Sequence, residues 1–146
     1  MRVERHDGTR ARKVLVGMVV SKDVLARLAP LWDRELFPSP WENLVAGWCV
    51  DHFVRYASAP KADIAARFEA WSESADKATK DLVGRFLQEL DGEYRRLAKS
   101  VNAEYLVDLA GDLFNRTRLE RTLDKAKADL AAGDVRKAQA RLLKQT

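Results

Sequence analysis

The chain has 146 residues, a net charge of +4, and hydrophobic and charged residues at 47% and 33% of its composition. These values indicate one folded body with room for an appendage and argue against a disordered chain. The longest apolar run, from Val14 to Val20, is far shorter than the ~20 residues that span a bilayer. We therefore expect a soluble, cytoplasmic protein without a membrane partner.

The positive charge is concentrated at the two ends of the chain. Residues 1–13 carry five basic and two acidic side chains, and residues 116–146 carry nine and four. Residues 1–11 contain few apolar side chains, so we expect a loose basic arm there. Acidic side chains interrupt every basic cluster, which is typical of a solvated helix surface.

Residues 12–100 are predicted to form a compact, multi-helix globular body. Ser21 is placed to cap a short helix, and Ser39 followed by Pro40 is a strong start signal for a long one. Apolar residues at helical spacing predict a further helix that continues through residues 82–97. The predicted fold class is therefore all-α.

Residues 101–146 are predicted to form a C-terminal helical hairpin. Asn102 is a suitable N-cap for a long helix, Gly133 offers the left-handed conformation that ends helices, and Asp134 can cap a short return helix. The return helix has too little apolar area for a two-helix hairpin to be stable alone. A second hairpin, from another copy of the chain, should complete it.

Two groups of apolar residues on the long helix lie on faces roughly 110° apart, so this helix should serve two different partners. The first group surrounds Leu109. The second group, together with the stripe of the return helix, is the predicted interface for self-association. The predicted interface residues are Leu119, Leu123, Ala126, Leu130, Val135, Ala138 and Leu142.

Motifs for catalysis are missing from the sequence. None of its seven glycines begins the GxxxxGK[ST] loop that cradles nucleotide phosphates. His6, His52 and the single cysteine, Cys49, do not make a convincing metal site, and one cysteine excludes an intrachain disulfide. The four tryptophans fall in register with buried stripes, which predicts core packing. We expect no catalytic residue and no cofactor, so this chain is not predicted to be an enzyme.

Basic residues near the C-terminus suggest a second interpretation, nucleic-acid binding. Lysine and arginine side chains attract nucleic acid by releasing its counterions, although these clusters lack interleaved aromatic residues for base stacking. The candidate contacts are Arg116, Arg118, Arg121, Lys125 and Lys127. The alternative to an assembly domain is thus a stand-alone basic helical protein that binds nucleic acid.

Three passages of the sequence carry a resemblance to a known family. They are KVLVGMVVSKDVLARLAPLWDRELF, SPWENLVAGWCVDHFVRYASAP and NAEYLVDLAGDLFNRTRLERTL, and the last is the most specific. In this order they resemble the N-terminal collar domain of DnaB-like hexameric replicative DNA helicases, in a divergent form such as phages carry. The resemblance covers most of the chain from about Arg12.

The resemblance implies a role in DNA replication. In that family the body and hairpin pair into a collar of dimers or trimers around a hexameric ring, and a linker then leads to an ATPase motor. This chain would be the collar, ending at Thr146 where the linker would begin. Its implied partners are other copies of itself and a primase or helicase loader, with DNA contacted only indirectly or weakly. A loader or adaptor protein remains the alternative.

Overall fold

The computed structural model describes the backbone of residues 2–33 and 35–144, with side chains from residue 8 onward. Eight α-helices and no strand occur in this part of the chain, which confirms the all-α prediction. The helices are α1 (Arg2–Val20), α2 (Lys22–Leu28), α3 (Pro40–Tyr56), α4 (Ile64–Ser72), α5 (Lys77–Leu90), α6 (Tyr94–Ser100), α7 (Ala103–Ala131) and α8 (Val135–Lys144). None of the described helices is long and apolar enough to cross a bilayer.

The first helix corrects the expectation of a loose arm over residues 1–11. Helix α1 begins at Arg2, and Ala11 is fully buried. Extending a helix that is already formed adds one hydrogen bond for each residue that is ordered, whereas starting one is costly. The apolar run at Val14–Val20 is anchored in the core, so the polar residues before it continue the same helix. Met1 lies outside the described residues.

Helix α1 is the centre of the body and packs against α2, α3, α6 and α7. Val14, Leu15, Met18 and Val19 are fully buried on it. At Gly17 the helices approach so closely that a Cβ atom would lie 2.5 Å from Leu106 Cδ1 of α7. The absence of a side chain at this position permits the close contact of α1 and α7.

The predicted start signals of α2 and α3 are confirmed. The Ser21 hydroxyl accepts a hydrogen bond from the Val24 amide at 3.2 Å. At the start of α3, Pro40 follows Ser39, and the carboxylate of Glu42 accepts a bond from the Ser39 amide at 3.2 Å. This reciprocal capping box satisfies amides that would otherwise lack partners at the helix start.

The predicted continuous helix over residues 82–97 is wrong. Helix α5 ends at Leu90, Gly92 has a positive φ of 78°, and α6 begins at Tyr94. Apolar spacing continues across the break because Tyr94 and Leu97 still pack against the core cluster. The spacing alone therefore did not reveal that the helix is interrupted.

Aromatic side chains join α3, α4 and α5. Trp48 and Trp71 meet edge to face with ring centroids 5.5 Å apart, and Trp41 lies 5.5 Å from Phe86. All four tryptophans are buried in the core or packed against it, as the sequence predicts. The first half of α7 belongs to the same core through buried residues that include Leu106 and Phe114. Helix α7, which begins at Ala103, therefore shares one core with the body.

Candidate functional site

The C-terminal hairpin forms as the sequence predicts. The Asn102 side chain accepts a bond from the Tyr105 amide at 3.0 Å, which caps α7. After α7, the amide of Asp134 donates to the Asp129 carbonyl at 2.8 Å and the amide of Gly133 donates to the Leu130 carbonyl at 2.9 Å. These two bonds, with a φ of 86° at Gly133, constitute a Schellman motif. The turn fixes α8 as an antiparallel partner of α7.

Two contacts set how α8 lies on α7. Ala126 and Ala138 are 4% and 3% exposed, and these small side chains allow the helices to pack closely. Beside them, Arg141 Nε donates to Asp129 Oδ2 at 2.5 Å. Asp129 is only 9% exposed, so its charge depends on this arginine for compensation. The rotation of α8 about its own axis is therefore well determined.

The structure separates the seven predicted interface residues into two sets. Ala126 and Ala138 are covered by the chain's own hairpin contact, which corrects their assignment to a surface that another copy would cover. The other five are large aliphatic residues between 41% and 55% exposed. We call these five the apolar face: Leu119, Leu123, Leu130, Val135 and Leu142.

The residues of the apolar face lie on one side of the hairpin. Successive residues of an α-helix are rotated by about 100°, which places Leu119, Leu123 and Leu130 within about 40° of one another. Around the axis of α7, all three are rotated away from Ala126 in one direction. Around the axis of α8, Val135 and Leu142 are rotated away from Ala138 in the same direction. Because α7 and α8 are antiparallel, equal senses of displacement lead to the same side. The result is one continuous, half-exposed apolar surface.

The predicted nucleic-acid contacts do not form one surface. Arg116 pairs with Glu120 at 2.9 Å, Arg118 donates to the Leu31 carbonyl at 3.3 Å, and Arg121 pairs with Glu35 at 3.5 Å. Three of the five candidates are thus engaged within the chain. The remaining two, Lys125 and Lys127, are exposed, but they point in directions about 160° apart around the helix. No common face presents all five to a strand.

The opposite side of the hairpin carries a cationic cleft that sequence reasoning missed. Its volume is about 180 Å³, and it is lined by Thr122, Lys125, Arg141 and Lys144. We call it the basic cleft. Only Lys125 was a sequence candidate, because the position of Arg141 and Lys144 depends on how α8 lies against α7. The sequence signal that could have indicated this cleft is the presence of basic residues on both helices of the hairpin.

A groove also runs beside α3, where sequence reasoning placed no site. It has a volume of about 610 Å³, and Trp32 and Trp48 contribute to its wall. Two ion pairs border it, Arg121 with Glu35 and Arg67 with Asp51 at 3.6 Å. Its acidic and basic side chains balance, so its charge does not select a class of ligand.

Few groups in the body have the properties of a reactive centre. Cys49 is fully buried, and desolvation raises the pKa of its thiol well above the ordinary range. Burial likewise raises the pKa of Glu42, despite the hydrogen bonds from Ser39 that favour its charged form. His52 packs against Tyr56 with ring centroids 4.8 Å apart. Within the described residues, no group of three His, Cys, Asp or Glu side chains could hold a metal ion.

Comparison with protein-family models, with curated proteins and with solved structures gives no match. The hairpin itself has two chemically distinct sides, the apolar face on one and the basic cleft on the other.

Proposed function

We propose that this chain is an assembly domain, an oligomerisation and partner-docking domain of a DnaB-like replicative helicase. The observation that carries the proposal is the apolar face, five large aliphatic side chains that are each about half exposed on one side of a rigid hairpin. Single exposed leucines are common on protein surfaces, whereas contiguous ones indicate an interface. The proposed mechanism is geometric, because pairing of hairpins would organise the ring without any chemical step.

The apolar face is large enough to support association. Full burial of one aliphatic side chain contributes roughly 1.5–3 kcal/mol, so burial of the exposed half of five such side chains contributes about 4–7.5 kcal/mol from each copy. A symmetric pair would double this to about 8–15 kcal/mol, which is comparable with the ~4–15 kcal/mol cost of association. Burial of both apolar faces, as in an isologous dimer, therefore brings the gain into the range of this cost, whereas one face alone reaches only its lower part.

The resemblance supplies the identity of the proposed assembly. The collar of these helicases would require a particular order of elements. This order is a helical body, then a long helix, a tight turn and a short return helix. A primase or helicase loader is the proposed docking partner. A native reading frame that continues beyond Thr146 into a GxxxxGK[ST] loop would support this identity, because that loop would supply the ATPase motor.

Oligomeric state tests the assembly proposal directly. Sedimentation velocity would compare the wild type, the double variant Leu123→Asp/Leu130→Asp, and the control Val54→Asp/Leu82→Asp. Both control residues are exposed aliphatics outside the hairpin, on α3 and α5. We expect the wild type and the control to associate and the hairpin variant to be a monomer with unchanged helical circular dichroism. A monomeric wild type, or a hairpin variant that still associates, would contradict the proposal.

The stand-alone nucleic-acid-binding alternative has weaker support in its original form. Arg116, Arg118 and Arg121 are each held by contacts within the chain, and the five candidates do not share a face. Titration with single-stranded and double-stranded DNA at increasing salt would test it, since binding through all five residues should weaken steeply with salt.

A further inference from the structure

The basic cleft has an unusual chemical lining. Its four residues are two lysines, one arginine and one threonine, and no carboxylate is among the described residues that line it. Helix α8 as a whole carries four basic residues and no acidic one. Lysine and arginine side chains only donate hydrogen bonds, so the threonine hydroxyl oxygen is the one side-chain acceptor among these four residues.

The cleft is held together by the packing of the hairpin. Thr122 and Lys125 are three residues apart on α7, and Arg141 and Lys144 are three residues apart on α8, so each pair lies on one helix face. The buried carboxylate of Asp129 fixes Arg141 through its Nε atom at 2.5 Å. That contact uses one of the five N–H donors of the guanidinium group. The arginine is therefore positioned by the protein and retains donors for a ligand.

Positive charge extends from the basic cleft toward the body. A second cleft of about 160 Å³ shares Thr122 and Lys125 and adds Arg118 and Arg121. Two acidic residues, Asp33 and Glu35, also line this second cleft, and Glu35 pairs with Arg121. Because Asp129 compensates the charge of Arg141, the positive potential is least compensated at Lys125 and Lys144.

We propose that the basic cleft binds a phosphate group. Two lysines, the remaining N–H donors of Arg141 and a hydroxyl converge there from two helices, and this set suits a tetrahedral oxyanion. None of the described residues that line the cleft is aromatic or aliphatic, so none of them could seat a base or an acyl chain. Recognition is therefore directed at the phosphate itself, whether it belongs to a nucleic-acid strand or to a small molecule. This site is separate from the apolar face and does not depend on self-association.

Lys127 provides a matched control for Lys125. Both are exposed lysines on α7, only two residues apart, and they project about 160° from each other. Lys127 does not line the basic cleft. The change to Gln removes one positive charge at either position. A difference in affinity between the two variants therefore measures the contribution of the cleft and not that of the net charge.

Calorimetric titration at an ionic strength of about 0.1 M, where the Debye length is about 10 Å, tests the proposal with two probes, sodium phosphate and an oligothymidylate. We expect binding that Lys125→Gln and Lys144→Gln each weaken about tenfold or more, since each removes one charged hydrogen-bond donor. Lys127→Gln should leave binding within about twofold of the wild type, because an exposed distant charge is largely screened. Circular dichroism and sedimentation of each variant would verify unchanged folding and assembly.

The two probes distinguish the sources of the phosphate. Binding of both, with the same dependence on Lys125, means that the free group suffices. Binding of oligothymidylate alone, still dependent on Lys125 and Lys144, assigns the site to a nucleic-acid strand. Equal weakening by Lys127→Gln and Lys125→Gln would overturn the proposal, because it would show attraction to net charge only. Failure of the wild type to bind either probe would also overturn it.

Discussion

The close contact between α1 and α7 predicts a destabilising effect of Gly17→Ala. The new Cβ would lie 2.5 Å from Leu106 Cδ1, and Leu106 is itself only 6% exposed. Overpacking of this kind costs about 1–3 kcal/mol, whereas replacing a helical glycine by alanine gains about 1 kcal/mol. The expected net loss of unfolding free energy is therefore about 0–2 kcal/mol.

Gly111→Ala separates the two contributions. Gly111 lies inside α7, and nothing is within 4 Å of a Cβ built on it. This variant should gain the propensity term of about 1 kcal/mol without a clash. The two alanine variants should thus differ by about 1–3 kcal/mol, which corresponds to roughly 2–4 °C in Tm for each kcal/mol at this chain length.

Urea denaturation of both variants provides the measurement, and a double-mutant cycle identifies the cause. In a Leu106→Ala background the side-chain atom that clashes is absent, so Gly17→Ala should there become neutral or stabilising. Equal stability of the Gly17→Ala and Gly111→Ala proteins would refute the argument. The same conclusion would follow if the effect of Gly17→Ala were unchanged by the loss of the Leu106 side chain.

Three further predictions concern single groups. Burial raises the folded-state pKa of Glu42, so the stability that this side chain contributes is complete below its unfolded pKa and is lost as pH rises through its folded pKa. Glutamine cannot ionise, so Glu42→Gln should raise stability relative to the wild type more at neutral pH than at acidic pH. Denaturation at both pH values measures this difference. Cys49 should be inert to a disulfide reagent until the protein unfolds, and reaction at a native rate equal to the denatured one would refute its burial. Asn102→Ala should cost about 0.5–2 kcal/mol in thermal or urea unfolding through loss of the cap on α7, and an unchanged midpoint would contradict that role.

Local signals in the sequence were sufficient to predict the starts of α2, α3 and α7 and the turn of the hairpin, but not the break at Gly92. Ser39 and Pro40 act within a single turn, so their roles could be inferred before any tertiary contact was known. The same holds for Gly133 and Asp134 at the hairpin turn. Such signals are reliable because the hydrogen bonds that they satisfy lie within a few residues of the signal itself.

Contacts between distant residues were not predictable in the same way. Helical spacing placed Ala126 and Leu130 on one stripe, but it did not show that α8 covers only the alanine. The pairing of Asp129 with Arg141 crosses between two helices and follows from their packing. The basic cleft was missed for the same reason, since its lysines and arginine converge only after α8 has docked on α7.

The rotational setting of α8 connects both proposed surfaces of the hairpin. Leu142 belongs to the apolar face and Arg141 to the basic cleft, so a rotation of α8 would displace both at once. Asp129 holds that setting, and loss of its charged hydrogen bond to the one-third exposed Arg141 costs about 1.5–3 kcal/mol. Asp129→Ala should therefore weaken self-association. It should also weaken phosphate binding, because the loss of a fixed position for Arg141 and Lys144 outweighs the removal of one negative charge beside the cleft. Lys125→Gln should affect only phosphate binding and Leu130→Asp only association. Sedimentation and calorimetry on the three variants would show whether the losses separate in this way. If Asp129→Ala left both properties intact, the ion pair would not determine the placement of α8.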